Sequence, residues 1–257
     1  MSLDAIDFTP RPAAAPRLRS VLATAALEVR LMMRNGEQLL LTLGIPVLLL
    51  LGLSTLHFVT LGPGPAIQWA MPGVMTLAIM STAFTAQAIA TGFDRRSGAM
   101  TFIGSTPLGR LGLLAGKTLA VIVIELIQFA ILVPIAYALS WHPHGDPVSV
   151  VAYLIVGTAA FSSLGFALAG ALRAEAVLAA ANAIWLALLF VGGTVIPLDR
   201  LPHGLALVAA ATPSGALGAG LRSVLVHGDS LAAWPLLVLC GWTVFGVVVA
   251  ARTFKWD

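Results

Sequence analysis

Six apolar runs constrain this chain more than anything else in it. Leu39–Val59, Ala70–Ala90, Thr118–Ser140, Val148–Leu172, Val177–Ile196 and Leu231–Ala251 each come close to the roughly 20 residues that an α-helix needs to cross a bilayer. Helices satisfy every backbone group inside lipid, and the period-two alternation of a membrane barrel is absent. Of 257 residues, 59% are hydrophobic and 10% charged, against about 25% charged in soluble domains. So much apolar surface cannot be hidden in one core of this size. The sequence predicts an all-α membrane protein: a cytoplasmic arm over 1–38, then a six-span transmembrane domain over 39–257.

The basic residues orient the spans. With the N-terminus in the cytoplasm, twelve of the fourteen Lys and Arg residues fall inside, leaving Arg200 and Arg222 outside. Both termini are then cytoplasmic. Trp69, Trp141 and Trp234 fall at outer span ends and Trp256 at the inner end, the expected places for an aromatic belt. His57, near the outer end of the first span, reads as interfacial. The first sixteen residues, rich in Pro and Ala, read as flexible and lack the apolar core of a signal peptide.

Before the first span, Leu18, Val21, Leu22, Ala25 and Val29 recur at helical spacing among Arg17, Arg19, Glu28, Arg30 and Arg34. This predicts an interfacial amphipathic helix within Pro16–Gln38. Past the fifth span, His203–Val226 is long enough to cross, but Pro213 interrupts it and Arg222 lies within it. It is read as two short helices that dip into the outer leaflet and return, within an outer region over 197–230, rather than as a seventh span.

Several kinds of chemistry are excluded. A net charge of +3 is too small to argue for nucleic acid, and Cys240 alone allows no intrachain disulfide. The stretch "GLLAGKT" (Gly112–Thr118) imitates a phosphate-binding loop, but only three residues separate its first Gly from the Gly-Lys pair, where four are needed. Lys117 therefore reads as a basic residue at the inner interface. The turn "WHPHGDP" (Trp141–Pro147) reads as a solvated turn rather than a metal site. The chain is not expected to be an enzyme, nor to hold a catalytic residue, a metal or a cofactor.

Inside the spans, Glu125 lies eight residues past Lys117, about 12 Å along a helix at 1.5 Å per residue. Gln128 is one turn further on the same face. The pair is either a polar wall of a translocation path or a buried structural hydrogen-bonding site; a carboxylate at that depth must face the bundle or water. Small residues in Gly157–Gly170 and at Gly192 and Gly193 predict close helix approach, within the chain or between protomers.

The cytoplasmic loop 92–117 carries Asp94, Arg95, Arg96, Arg110 and Lys117 beside Met100, Phe102 and Ile103. A topogenic loop explains the arginines but leaves the apolar cluster without a partner. Three stretches resemble the membrane subunits of ABC-2 type transporters, such as those of daunorubicin-type efflux and polysaccharide export. They are "FDRRSGAMTFIGSTPLGR" (Phe93–Arg110), "ALEVRLMMRNGEQLLLTLGIPVLLL" (Ala26–Leu50) and "GGTVIPLDRLPHGL" (Gly192–Leu205). One departure stands out: the acidic residue that often follows the loop glycine in this family is replaced by Ala99-Met100-Thr101.

The resemblance implies a bacterial inner-membrane permease effluxing a drug, lipid or other amphiphile. A coupling helix over Phe93–Thr106 would seat in a groove of a separate ATPase subunit, present in two copies that bind the ATP and Mg. It would contact that subunit through Phe93, Asp94, Arg95, Arg96, Gly98, Met100, Phe102, Ile103 and Pro107. A second permease protomer, identical or similar, completes the pathway. The alternatives are polysaccharide export and an ion-gradient-driven transporter that uses Glu125; against the latter, the two chain halves lack a duplicated broken-helix pattern.

Overall fold

The computed structural model of the protein describes residues 15–55, 62–104, 106–194 and 197–253. The expectations for the first fourteen residues, His57 and Trp256 lie outside these. Among the described residues there are ten helices and no strand. They are α1 (Arg17–Arg34), α2 (Leu40–Thr55), α3 (Ala66–Arg96), α4 (Ala99–Gly104), α5 (Gly109–Ala138), α6 (Pro147–Ala171), α7 (Ala174–Val191), α8 (His203–Ala211), α9 (Pro213–His227) and α10 (Ala233–Thr253).

Five of them, α3, α5, α6, α7 and α10, are long and apolar enough to cross a membrane; α5 qualifies over Leu111–Ala138. The first expected span is shorter where it is described, and Leu56–Val59 lies outside the described residues. Conversely, α3 and α5 extend past their expected spans at the end of the bundle that carries Arg95, Arg96 and Lys117, called here the basic end. The loop expected over 92–117 shrinks to the short segment from Ser97 to Leu108, in which α4 sits.

The bundle is built around α3, which packs against α2, α5, α6, α7 and α9. From Ile67 to Met80 every residue of α3 except Gln68 is buried. A helix apolar on all sides belongs in the middle of a bundle. Over Met80–Ala86 it widens into a π-helical segment, and α2 does the same over Leu40–Gly44; such segments favour functional sites.

The small residues of α6 serve this core. A Cβ on Gly165 would lie 3.0 Å from the Phe84 carbonyl in the π-helical segment, and Gly246 of α10 sits against the Ser163 backbone. The Gly157–Gly170 stretch is mostly buried, so within this chain its small side chains serve helix–helix contact.

The expected break at Pro213 is present. Helices α8 and α9 meet at 98°. Pro213 has no N–H with which to continue α8, and the Thr212 hydroxyl caps α9 by accepting from the Gly215 N–H at 3.0 Å. Arg222, read as an outer arginine, is buried, donating to the carbonyls of Gly193 (2.8 Å) and Thr194 (2.6 Å) beyond the end of α7.

Two of the expected belt tryptophans are also buried. Trp69 and Trp141 pack into the core, and the Trp69 indole N–H donates to Pro63. Trp234 alone of the three outer tryptophans is exposed.

Candidate functional site

The basic end is organised around Lys117. Helix α1 crosses α5 at Gly112 and Gly116, where a Cβ on Gly116 would lie 2.8 Å from Thr24 Cγ2 and 3.2 Å from the Val21 carbonyl. Two glycines four apart let helices approach this closely. The stretch that imitates a phosphate loop is thus a helix-packing surface.

One residue past that contact, the Lys117 ammonium donates to Glu28 Oε1 of α1 and to Asp94 Oδ2 of α3, each at 2.6 Å. The lysine side chain is 5% exposed, that of Glu28 19% and that of Asp94 39%. A buried ammonium is costly without partners, and here two carboxylates from two other helices supply them. Sequence reasoning missed this cluster. Its signal was that Glu28 is the lone acid of α1, Asp94 the lone acid of 92–117, and Lys117 the only lysine besides Lys255.

The neighbouring arginines are also engaged within the chain. Arg95 donates to the carbonyls of Gly170 (2.7 Å) and Leu172, which close the C-terminal end of α6. Arg96 bridges to Glu175 in the first turn of α7. The end of α3 is therefore fixed to α1, α5, α6 and α7 by three consecutive charged side chains.

The expected continuous helix over Phe93–Thr106 is two elements. Residues Phe93–Arg96 finish α3, and Gly98 turns the chain with φ +77°, a left-handed conformation that a β-carbon disfavours. Helix α4 then spans six residues. The expected apolar cluster splits across its two faces. Met100 is 1% exposed and joins the core, Ile103 is half-buried, and Phe102 is 76% exposed. Phe93 and Pro107 are also exposed. The surface offered to solvent is thus Phe93, Phe102 and Pro107, without Met100. A helix this short that docks on its own chain must bury one face.

Deeper in the bundle, Glu125 and Gln128 are both buried. The Gln128 carbonyl accepts from Thr82, in the π-helical segment of α3, at 3.1 Å. Its amide donates to the Thr42 carbonyl, in that of α2, at 2.8 Å. Gln128 therefore ties the two irregular segments to α5. Glu125 Oε2 accepts from Thr158 of α6 at 2.6 Å, while Oε1 has no hydrogen-bond partner among the described residues. No group of three or more metal-ligating side chains occurs among the described residues.

A search of curated proteins returned no match. A family profile described as ABC-2 family transporter protein matches residues 65–252, from the start of α3 to the end of α10. With most of its length covered by that match, the chain belongs to the ABC-2 family of transporter proteins.

Proposed function

We propose that this chain is the permease half of an ATP-driven exporter of amphiphilic molecules, drugs or lipids, in a bacterial inner membrane. Both termini and the basic end are cytoplasmic. Two copies of a separate ATPase subunit bind the ATP and Mg, and a second protomer of this or a similar chain completes the pathway. Phe93, Phe102 and Pro107 form the apolar contact with the ATPase, with Arg96 at its polar rim. Met100 acts beneath that surface, as the anchor of α4.

The observation that carries this reading is the exposed Phe102 on a short helix whose base, the end of α3, is tied to four other helices. A push on α4 and the end of α3 reaches α1 and α5 through the Asp94–Lys117–Glu28 cluster, and α6 and α7 through Arg95 and Arg96. A firmly tied contact transmits rigid-body motion, as rocking of one protomer against another requires. Glu125, with one oxygen left without a partner, is the candidate polar wall of the path, and Gln128 sets the register of the helices beside it. The pair α8–α9 dips into the outer leaflet and closes that end.

The test is co-purification with a co-expressed ATPase subunit, together with ATP hydrolysis in proteoliposomes. A stable complex that Phe102→Asp dissociates, with the permease still folded, supports the reading. A chain that binds no ATPase and moves solute on an ion gradient overturns it.

A further inference from the structure

A cavity of about 500 Å³ opens at the basic end, lined by Arg95, residues 170–173, Arg252 and Thr253. Three arginines from three elements converge on it: the end of α3, the α6–α7 joint and the last turn of α10. No described acidic residue lines it.

The three cations are not equally occupied. Arg95 is spent on the Gly170 and Leu172 carbonyls, and so forms a fixed wall. Arg173 feels Glu175 through space, but Glu175 is already bridged by Arg96. The Arg252 side chain has no hydrogen bond or ion pair among the described residues. Both Arg173 and Arg252 are exposed. Two exposed guanidiniums, neither with a side-chain hydrogen bond or ion pair among the described residues, share the pocket with a third, and like charges gathered in this way favour an anion between them. Planar guanidiniums match phosphate oxygens in pairs.

The position narrows the occupant. Helices α3, α6 and α10 end here and α7 begins here, all four long and apolar enough to cross a membrane. Their ends therefore lie at the level of lipid headgroups, where basic pockets between spanning helices take anionic headgroups.

We infer that the Arg95–Arg173–Arg252 cavity binds a phosphate-bearing anion, either the headgroup of an acidic phospholipid or a soluble phosphate. Arg173 and Arg252 make the exchangeable contacts, and Arg95 holds the wall. The site does not depend on the ATPase reading, because it requires this chain alone.

The full chain is placed in nanodiscs of phosphatidylcholine, with or without phosphatidylglycerol. Thermal unfolding and lipid retention in native mass spectrometry are followed for the wild type, Arg252→Gln, and Arg252→Gln with Arg173→Gln. The expected result is stabilisation by phosphatidylglycerol in the wild type, reduced in the single variant. The double variant loses it, with lipid affinity falling roughly thirtyfold. Unfolding in phosphatidylcholine alone confirms that each variant folds. A parallel titration with inorganic phosphate in neutral detergent separates the sources: protection there identifies a soluble anion, and protection by phosphatidylglycerol only identifies a headgroup. No response of the wild type to either probe, or an undiminished response of Arg252→Gln and the double variant, overturns the inference.

Discussion

Asp94 Oδ2 and Lys117 Nζ meet at 2.6 Å, twenty-three residues apart in the chain, across the segment that carries α4. This contact closes the base of that segment, and Glu28 extends it to α1 on the other side of the same ammonium. The part of the molecule proposed to meet the ATPase and the amphipathic arm therefore share one cation.

Removing that cation leaves two carboxylates facing each other beside a buried apolar side chain. Breaking a buried pair costs about 3–5 kcal/mol, and the partial exposure of Asp94 and Glu28 reduces this. Lys117→Met is expected to destabilise the protein by about 2 kcal/mol and to make α1 more sensitive to protease. Asp94→Asn, which keeps one acceptor, is expected to do less. Thermal unfolding in detergent reads both, and an unchanged midpoint for Lys117→Met sinks the idea.

The two faces of α4 predict opposite behaviour for neighbouring residues. Met100→Ala empties a buried site and is expected to cost about 2–5 kcal/mol. Phe102→Asp, at 76% exposure, is expected to change stability by only about 0.5 kcal/mol while abolishing ATPase binding. Unfolding and co-purification on the same two variants check this. Equal destabilisation by both would show that α4 is not docked as described.

Helix α1 depends on the absence of side chains on α5. Gly116→Leu drives a branched side chain into Thr24 and the Val21 carbonyl, and overpacking of this kind costs about 1–3 kcal/mol. The arm should detach, seen as faster cleavage within Arg17–Arg34, while the spans keep their helicity. Cleavage at the wild-type rate would contradict the crossing.

These residues show what was legible in the sequence. Five of the six expected spans were readable from the length of apolar runs, because lipid imposes a minimum length that composition cannot hide. Their ends were not. Asp94, Arg95 and Arg96 read as part of the loop 92–117, yet α3 runs through them because neighbouring helices bind their side chains. The break at Pro213 was readable because proline acts locally. Met100 and Phe102 looked like one apolar cluster, since the turn at Gly98 sets which face of α4 meets the core. Lys117 looked like an interface residue because its two partners lie in other helices, and no spacing along the chain records that.

Glu125→Gln separates two modes of transport. The substitution keeps the size of the side chain and an acceptor for Thr158. If the chain works as an ATP-driven permease, ATP-dependent export in proteoliposomes should persist in this variant, with altered preference among substrates of different charge. Complete loss of ion-gradient-driven flux, with no ATP-dependent flux in the wild type, would instead assign Glu125 the coupling role.

The last prediction concerns acid at the opposite end of the bundle. The Asp146 carboxylate caps α6, accepting from the Val148 N–H (3.1 Å), the Ser149 N–H (2.9 Å) and the Ser149 hydroxyl (2.8 Å). The Ser149 hydroxyl, then the two backbone N–H groups, hold this carboxyl below the usual aspartate range. Because these bonds favour the charged form, the stability they contribute is complete above the unfolded aspartate value of about 3.9. It is lost as pH falls through the lower folded value. Asp146→Asn keeps an acceptor but cannot ionise. The wild type should therefore unfold at a higher temperature than Asp146→Asn at neutral pH, and the gap should narrow only below about pH 4. Unfolding midpoints of both proteins across the acidic range measure this. A gap that stays constant there would mean that the charge of Asp146 contributes nothing beyond its hydrogen-bond geometry.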